Sequence, residues 1–360
     1  MDLTIKNKSY ALPIYLPDAT RAVAKSLDSR DLDYAGVSGV VVNTFHLMNQ
    51  PGTEVLNKLG GVKSFMNYRG LVVSDSGGWQ VFSLIHRSKR PGKIMDEGVV
   101  FHLDNKTHAL FTPEKSIQVQ FDIGSDIIIC LDDFTAPNAD SLEIKASVER
   151  TIEWAKRSKV EFDKQLKARK LTDKTRPHLY AVIQGGFDRG LRKYCAEELT
   201  KLNFDGYGYG GYAITNGELD LDLSKFVADL IPHDKVKFAL GVGTPYQIAN
   251  CYQYGWQIFD CTLPTRDARH KRLYVYNYEP QTLNDLCSKE LYSYIYIDKL
   301  KYLEDATPIS SICDCHTCKH FTKAYLCHLF KTDVNTAFRL SSIHNIRTYT
   351  KLITYLKTLK

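Results

Sequence analysis

The chain has 360 residues, which is long enough for one large α/β barrel or two ordinary domains. Hydrophobic residues make up 44% and charged residues 24% of the sequence, and both values are ordinary for a soluble globular protein. The net charge of +6 is compatible with a nucleic-acid partner but does not establish one, because a basic surface must be clustered to bind phosphates. The opening residues lack a signal-peptide pattern and no apolar stretch has the length of a membrane span, so we expect a cytoplasmic protein without a membrane partner.

Short β-branched runs recur along the chain, and several of them end in Gly or Asp. They lie at residues 39–42, 71–75, 126–133, 179–186, 238–243 and 257–261. Between them the sequence predicts helices at residues 141–168, 190–202 and 223–231. Strands that alternate with helices favour a parallel sheet covered by helices.

Polar or glycine residues follow the carboxyl ends of several of these predicted strands. They are Asn43, Asp75, Asp132, Gln184, Gly243 and Asp260. Such a distribution is typical of an α/β barrel whose active site is built from the loops at one end of the strands. A doubly wound open sheet would instead concentrate its functional residues in one glycine-rich turn.

Near the C-terminus, three cysteines form a C-x-C-x2-C pattern: Cys313, Cys315 and Cys318. In a chain without a secretion signal, this spacing indicates a metal site instead of a disulfide framework. Zinc prefers four nitrogen or sulfur ligands in a tetrahedron, so we predict one structural Zn²⁺ with a fourth ligand from elsewhere. We choose His344, on a final helix predicted at residues 335–356. The alternatives are His320, Cys327 and His328, whereas His316 lies too close to the cysteines to complete the tetrahedron.

Three short stretches carry aspartates at predicted strand ends, namely SDSGGWQV at 74–81, CLDD at 130–133 and IFDCTLPTR at 258–266. A single aspartate at a strand end is more often a helix cap or a turn former than a catalyst. Several of them in one barrel favour glycosyl transfer or hydrolysis, because such reactions use paired carboxylates.

Six ordered motifs make the chain resemble the bacterial-type tRNA-guanine transglycosylases. They are SDSGGWQVFSL, EGVVFHLDN, IQGGFDRGLRKYCAEEL, GVGTP, FDCTLPTRDAR and CDCHTCKHFTKAYLCHLF, the last followed by RLSSIHNIR. The resemblance runs from about residue 12 to about residue 355 in the order of the family. It implies a (β/α)8 TIM-type barrel with a zinc-binding subdomain near the C-terminus, in a homodimer.

On this basis we divide the chain into most of the barrel at 1–275, a zinc-binding subdomain at 276–345, and the end of a C-terminal helix at 346–360 that packs back on the barrel. The resemblance further implies that the enzyme exchanges guanine at the wobble position of tRNA with a GUN anticodon for a 7-deazaguanine, in queuosine biosynthesis. A covalent tRNA–enzyme intermediate links the two half-reactions.

The resemblance also assigns roles to individual residues by motif. Asp260 matches the nucleophile and Asp75 the general acid/base. The residues that match base-binding positions are Asp132, Gln184, Gly210, Gly211 and Trp79, with Trp79 stacked on the ring. Arg266 and Arg269 match residues that hold the anticodon loop. The zinc ligands match Cys313, Cys315, Cys318 and His344.

Three departures from the family pattern fall in the base pocket. Phe134 stands where bacterial relatives carry Cys and eukaryotic ones Val, Tyr212 stands where Leu is usual, and Trp79 replaces a smaller aromatic residue. The Gly-Glu pair that normally follows the stretch around Tyr212 is lacking, unless Gly217-Glu218 serves in its place after a two-residue shift. These departures affect the choice between preQ1, preQ0 and queuine. In the family, members that take queuine carry a small residue, typically Gly, where this chain has Ile214, and tend to carry Val where it has Phe134, so the larger side chains here favour preQ1 over queuine.

Other interpretations use the same residues. A DNA base-exchange relative would share the nucleophile, although the TRDAR segment and the complete cysteine motif favour tRNA. A non-catalytic partner subunit of such an enzyme is disfavoured because Asp75, Asp132 and Asp260 are all present. A zinc-stabilised barrel of unrelated function would require six ordered motifs to be a coincidence.

Overall fold

The computed structural model describes residues 2–77, 92–102, 108–136, 138–211, 214–215 and 218–359. Eight parallel strands form its central sheet, and we label them in chain order. They are β1 (Ile14–Pro17), β2 (Gly39–Asn43), β3 (Leu71–Asp75), β4 (Ile127–Ile129), β5 (His178–Ile183), β6 (Gly206–Tyr209), β7 (Val236–Ala239) and β8 (Ile258–Cys261).

The sheet runs in sequence order from β2 to β8 and then to β1. It closes between β1 and β2, where Asp18 pairs with Val41 and the Ala19 N–H donates to Val41 O at 2.7 Å. The predicted (β/α)8 barrel is therefore confirmed. Because all eight strands are parallel, their carboxyl ends meet at one end of the barrel, which we call the carboxyl-terminal rim.

Helices follow most of the strands, as the alternating pattern predicts. Their bounds are Ser29–Tyr34, Thr44–Leu47, Thr53–Lys58, Gly61–Met66, Pro113–Ile123, Ser141–Ala168, Arg189–Thr200, Leu221–Leu230, Pro245–Gln253, Leu263–Arg269, Leu283–Leu286, His316–His320, Lys323–Thr332 and Val334–Thr358. Asp140, Asp188 and Asp220 cap three of these helices by accepting hydrogen bonds from main-chain N–H groups of the first turn. These three helices begin within two residues of the predicted starts.

Shorter strands lie outside the barrel in antiparallel pairs or sheets. Their bounds are Asp2–Ile5 with Lys8–Ala11, Lys93–Met95 with Gly98–His102 and His108–Phe111, Ile214–Thr215 with Glu218–Leu219, and Arg272–Tyr276 with Tyr292–Tyr296. A turn of π-helix spans Met48–Gly52 and a 3-10 turn spans Leu300–Tyr302. No helix in the described parts of the chain is long and apolar enough to cross a membrane.

Alternate residues of the barrel strands pack into two different hydrophobic clusters. The barrel interior contains side chains such as Leu16, Val73 and Val182, and the N-terminal hairpin adds Leu3. The neighbouring strand residues, such as Val72, pack outward against the helices. Both faces of each strand are therefore buried, which explains why the strands are continuous apolar runs in the sequence instead of alternating ones.

The helix Val334–Thr358 joins the cysteine-containing region to the barrel. Near its start, Arg339 forms an ion pair with the buried Asp31 of the barrel. Farther along, Tyr349 donates a hydrogen bond to Gly243 O at 2.7 Å, in the loop after β7. The helix predicted at residues 335–356 is confirmed within two residues at each end, and the domain boundary drawn at 345 stays a prediction.

Candidate active site

The three aspartates singled out in the sequence lie at the carboxyl-terminal rim. Asp75 is the last residue of β3, Asp260 lies in the last part of β8, and Asp132 follows the end of β4. Asp132 is buried, whereas Asp75 and Asp260 keep part of their surface accessible. The parallel barrel thus brings together carboxylates that are far apart in the sequence, as the strand-end pattern predicted.

Main-chain and amide N–H groups hold the two accessible carboxylates. Asp75 accepts from Asn43 Nδ2 at 3.2 Å and from Gly77 N at 3.3 Å, one bond to each oxygen. Asp260 Oδ1 accepts from Gly241 N at 2.7 Å. The hydrogen bonds of the described residues leave Asp260 Oδ2 without a donor, so this oxygen is the one best placed to form a bond with a substrate.

Asp132 and Gln184 form a buried pair beside Asp75. Gln184 Nε2 donates to Asp132 Oδ2 at 2.7 Å, and Ser76 Oγ donates to Asp132 Oδ1 at 3.3 Å. Ser76 directly follows Asp75, so the segment after β3 contacts both carboxylates. The pair places a hydrogen-bond acceptor next to an amide group, which is the combination that a nucleobase edge requires.

Removal from bulk water raises the pKa of all three carboxyl groups. It raises the pKa of Asp75 to about 6 and the pKa of Asp132 and Asp260 to about 7. The charge of Asp75 adds to the shifts of Asp132 and Asp260, and the charge of a further carboxylate, Asp18, adds to those of Asp75 and Asp260. The hydrogen bonds described above oppose the shifts without cancelling them. Carboxyl groups that titrate near neutral pH can both donate and accept protons there, as acid–base catalysis requires.

The raised pKa of Asp132 predicts a pH-dependent cost in stability. Between the unfolded and folded pKa values the folded state holds a proton that the unfolded state has lost, so the free energy of unfolding falls as pH rises from about 4 to about 7. Asp132→Asn removes this pH-dependent cost and keeps an acceptor for Ser76 Oγ. Its new N–H group faces Gln184, whose side-chain amide must turn its oxygen towards it to form a hydrogen bond. We expect its melting temperature to exceed that of the wild type by about 2–4 °C at pH 8 and by less at pH 5.5.

Thermal unfolding across this pH range checks the prediction. The matched control is Asp229→Asn, the same substitution at an exposed position of the helix Leu221–Leu230, far from the rim in the sequence. If the melting temperature of Asp132→Asn differed from that of the wild type by the same amount at both pH values, the raised pKa of Asp132 would be contradicted.

Gly210 and Gly211 follow β6 and lie directly against Gln184. A Cβ atom on Gly210 would lie 2.6 Å from Gln184 Nε2, and one on Gly211 would lie 2.6 Å from Gln184 Oε1. Gly211 also has a φ of +66°, which favours glycine. The two glycines therefore let the Gln184 amide pack on the main chain at the rim. Trp79, the predicted stacking residue, lies outside the described residues.

Arg266 and Arg269 lie on the helix Leu263–Arg269, immediately after the strand that carries Asp260. Arg266 is exposed, while Arg269 is partly buried and donates from Nη1 to Thr265 O at 2.9 Å. Arg266 also lines a depression of about 240 Å³ together with His270 and other residues. Both guanidinium groups thus lie on the helix that follows β8, where they can meet a polyanion that approaches the carboxylates.

The four predicted metal ligands come together in the structure. The potential ligand atoms of Cys313, Cys315, Cys318 and His344 all lie within 4.8 Å of one another, and the group can hold a metal ion. His344 Nδ1 lies 3.2 Å from Cys318 Sγ and 3.7 Å from Cys315 Sγ. Within the described part of the chain, the alternatives His320, Cys327 and His328 are not members of this group.

The surroundings of His344 suit a metal ligand. The ring is fully buried, and its Nε2 lies 2.7 Å from Tyr274 O. A carbonyl oxygen can only accept, so Nε2 carries the proton and Nδ1 presents its lone pair to the three sulfur atoms. The side chain of Thr317, between two of the cysteines, donates to Leu340 O at 2.6 Å. This bond ties the cysteine motif to the helix Val334–Thr358, which carries His344.

Comparison with known proteins shows similarity along nearly the whole chain. The family model described as Queuine tRNA-ribosyltransferase matches residues 1–358. The chain belongs to this family. A protein from Caldanaerobacter subterraneus subsp. tengcongensis named Queuine tRNA-ribosyltransferase is 38% identical over 344 residues, which cover 95% of this chain and 84% of that protein.

Two further members with the same name show similar coverage. The protein from Helicobacter hepaticus is 35% identical over 360 residues, covering 98% of this chain and 88% of that protein. The protein from Actinobacillus pleuropneumoniae serotype 3 is 36% identical over 347 residues, covering 96% of this chain and 84% of that protein. The family resemblance drawn from the six sequence motifs is therefore confirmed along nearly the whole chain.

The departures from the family pattern are described only in part. Tyr212 and Gly217 lie outside the described residues, whereas Ile214 is 39% exposed and pairs with Leu219 in a short antiparallel ladder. Glu218 is exposed, and its carboxylate contacts Lys289 Nζ at 2.6 Å. In this structure the Glu218 carboxylate is thus paired with a lysine at the surface.

The structure adds one contact and one polar side chain of the rim that the strand-end pattern does not assign. Asn43 was noted at a strand end, but its contact with Asp75 was not foreseen. Asp18 directly follows β1 and accepts from Thr20 Oγ1, and the proximity of its charge contributes to the raised pKa of Asp75 and Asp260. The sequence signal for Asp18 is a polar residue directly after an apolar strand.

Proposed function

We propose that the chain is a tRNA-guanine transglycosylase that replaces guanine at the wobble position of GUN anticodons with a 7-deazaguanine, in queuosine biosynthesis. The observation that supports this most directly is the cluster of Asp75, Asp132 and Asp260 at one rim, with pKa values raised towards neutrality. Membership of the queuine tRNA-ribosyltransferase family supports the same reaction. A homodimer is part of the proposal, as the resemblance implies.

Base recognition uses the buried polar groups beside Asp75. A base must leave the stack of the anticodon loop to be exchanged, so the enzyme needs a flat pocket lined with hydrogen-bonding groups. Ionised Asp132 accepts from the N1–H and N2–H groups of guanine. The side-chain amide of Gln184 and the N–H of Gly211 donate to its carbonyl oxygen.

The first half-reaction detaches guanine from the ribose. Asp260 Oδ2 attacks C1′ through an oxocarbenium-like transition state while the bond from C1′ to N9 breaks and its electron pair passes to the base. Asp75, in its protonated form, gives its proton to the departing guanine. The products are free guanine and a glycosyl ester between the tRNA and Asp260.

The second half-reaction reverses these roles with the new base. Asp75 is now ionised and takes a proton from the 7-deazaguanine, whose nitrogen attacks C1′ and displaces the Asp260 carboxylate. Two displacements at the same carbon retain the configuration of the ribose. One glycosidic bond replaces another, so the exchange needs neither ATP nor a redox cofactor.

An exchange assay tests the proposal. Wild-type enzyme should incorporate labelled guanine into tRNA with a GUN anticodon, and should not incorporate it into tRNA whose wobble base is adenine or into duplex DNA. Incorporation into DNA but not tRNA would favour the base-exchange alternative. Absence of exchange into either nucleic acid, with the metal bound, would favour the non-catalytic subunit.

We propose that the Cys3His group holds one structural Zn²⁺. Three thiolates and one imidazole nitrogen are the ligands that zinc prefers in tetrahedral sites with no open position. Four protein ligands would leave no place for a water molecule, so the ion would stabilise the fold and take no part in base exchange. One of the four ligands, His344, lies on the helix Val334–Thr358, which packs on the barrel. Metal binding would therefore also stabilise the contact between the cysteine-containing region and the barrel.

The anticodon loop is expected to bind over the helix that follows β8. Changing Arg266 or Arg269 to Ala should raise the KM for tRNA about tenfold while changing the KM for the free base less than about twofold, because each residue contacts RNA and not the base pocket. Arg169→Ala is a suitable control, because Arg169 lies at the far end of the helix Ser141–Ala168. Steady-state kinetics in which neither variant differs from the control would place the anticodon contact elsewhere.

The incoming base is expected to be preQ1 in preference to queuine. Queuine carries a cyclopentenediol on its aminomethyl arm, whereas preQ1 ends at the amine. Phe134 and Ile214 are larger than the Val and Gly that queuine-using relatives carry at these positions, and a filled pocket tolerates extra volume poorly. We expect kcat/KM for preQ1 to exceed that for queuine about tenfold. Ile214→Gly should bring the kcat/KM values for the two bases closer together. Equal kcat/KM for preQ1 and queuine in the wild type would contradict the expected preference.

A further inference from the structure

Arg192 is a fully buried arginine that lies between two loops of the rim. It belongs to the helix Arg189–Thr200, and its side chain extends towards the loops that follow β5 and β6. The guanidinium donates to four main-chain carbonyl oxygens: Gly186 O at 3.0 Å from Nε, Ile183 O and Gly210 O at 2.6 Å each from Nη1, and Gly211 O at 2.9 Å from Nη2.

The charge of Arg192 is balanced in an unusual way. None of the ion pairs between described residues includes it, and its Cζ lies 4.9 Å from the centre of the Tyr209 ring. Burial lowers the pKa of Arg192, yet a guanidinium remains protonated in proteins. A buried charge without a carboxylate is costly unless hydrogen bonds compensate it, so the four carbonyl dipoles are the stabilising partners.

These bonds fix the direction of one particular N–H group. In a trans peptide the C=O and N–H bonds point in opposite directions. Because Gly210 O points at Arg192, the N–H of Gly211 points away from it. The hydrogen bonds of the described residues leave this N–H without an acceptor, although the neighbouring Gln184 and Gly210 are both buried. The orientation keeps the group available for a ligand.

The same side chain also fixes Gln184. Ile183 and Gly186, which Arg192 contacts, lie on either side of Gln184 in the loop after β5. The two loops are further joined by the Gly210 N–H, which donates to Ile183 O at 3.1 Å. One buried guanidinium therefore sets the position of both groups that would donate to the carbonyl oxygen of a base.

We infer that Arg192 is a positioning residue for base recognition, which holds the Gly211 N–H and the Gln184 amide in the direction that a purine carbonyl oxygen requires. This inference rests on the proposed function for the identity of the base. A planar fork with five N–H groups can contact four carbonyls at once, whereas the ammonium of lysine is a single point donor. Lysine at this position should keep the charge and lose the geometry.

Binding of two free bases to the enzyme without tRNA tests the inference. Guanine has a carbonyl at C6 and 2-aminopurine lacks it, so their ratio of dissociation constants measures recognition of that oxygen. We expect the wild type to prefer guanine, and Arg192→Lys to lose about tenfold of this preference, the usual effect of one or two misplaced hydrogen bonds. Arg189→Lys, the same substitution at an exposed position of the same helix, should keep the preference.

A general loss of structure would weaken binding of both bases equally and leave their ratio unchanged. If Arg192→Lys is too unstable to measure, binding of guanine and 2-aminopurine to Arg192→Ala is measured with and without added guanidinium ion. The ion should occupy the vacated position and restore the preference for guanine. An unchanged ratio in Arg192→Lys, absence of guanidinium rescue in Arg192→Ala, or a wild type that binds both bases equally would overturn the inference. A wild type that prefers guanine in binding but exchanges none into tRNA would refute the proposed function alone.

Discussion

Replacing Asp260 with asparagine is expected to reduce guanine exchange by at least about a thousandfold, because a neutral amide cannot act as the nucleophile at C1′. Asparagine has nearly the same volume, and its carbonyl oxygen can still accept from the Gly241 N–H. The variant should therefore fold and bind tRNA as the wild type does. Loss of exchange with intact binding would assign the defect to the chemical step.

The matched control for this experiment is Asp205→Asn. Asp205 precedes β6 at the opposite end of the barrel, where it pairs with Arg176, so its replacement should lower stability and leave the exchange reaction intact. Exchange is measured under conditions in which both variants are folded. Turnover of Asp260→Asn near the wild-type rate would remove Asp260 from the role of nucleophile.

Removal of the metal is expected to lower the melting temperature by about 10 °C or more, because metal-binding free energy at a closed site is folding free energy. Cys315→Ala should have a similar effect, since Cys315 is buried among the other ligands. The helix that carries His344 also contacts Gly243 and Asp31 of the barrel. Loosening it should therefore destabilise the whole molecule.

Elemental analysis and thermal unfolding of the same sample check this prediction. We expect about one zinc per chain, with sulfur distances near 2.3 Å by X-ray absorption. Cys287→Ala, a thiol outside the ligand group, is the control and should retain the metal. Metal-free protein with an unchanged melting temperature would refute a structural role for the ion.

The barrel and the positions of the three aspartates were accessible to sequence analysis for a physical reason. Strands buried on both faces are short apolar runs, and a parallel barrel gathers whatever follows those runs at one rim. Asp75, Asp132 and Asp260 each follow or end such a run, so their proximity could be predicted without coordinates. Their roles in catalysis stay a prediction that the experiments above test.

The contacts between loops could not be predicted in this way. Arg192 lies in an amphipathic helix, where the sequence gives no sign that its side chain is buried or that it contacts carbonyl groups near residue 210. The fourth metal ligand posed the same difficulty, because His320 and His328 are closer to the cysteines in sequence than His344 is. The cysteine spacing left these candidates open beside His344, and the packing of the last helix against the cysteine motif is what brings His344 to the three thiols.

The covalent intermediate is the central claim of the mechanism, and mass spectrometry of a trapped adduct tests it most directly. Enzyme incubated with tRNA and no free base is denatured, digested with nuclease and protease, and searched for a peptide that carries a ribose fragment. We predict the fragment on Asp260, and no adduct with Asp260→Asn. A fragment attached to Asp75 or Asp132 in the wild type, or exchange that proceeds without any denaturant-stable adduct, would contradict the account.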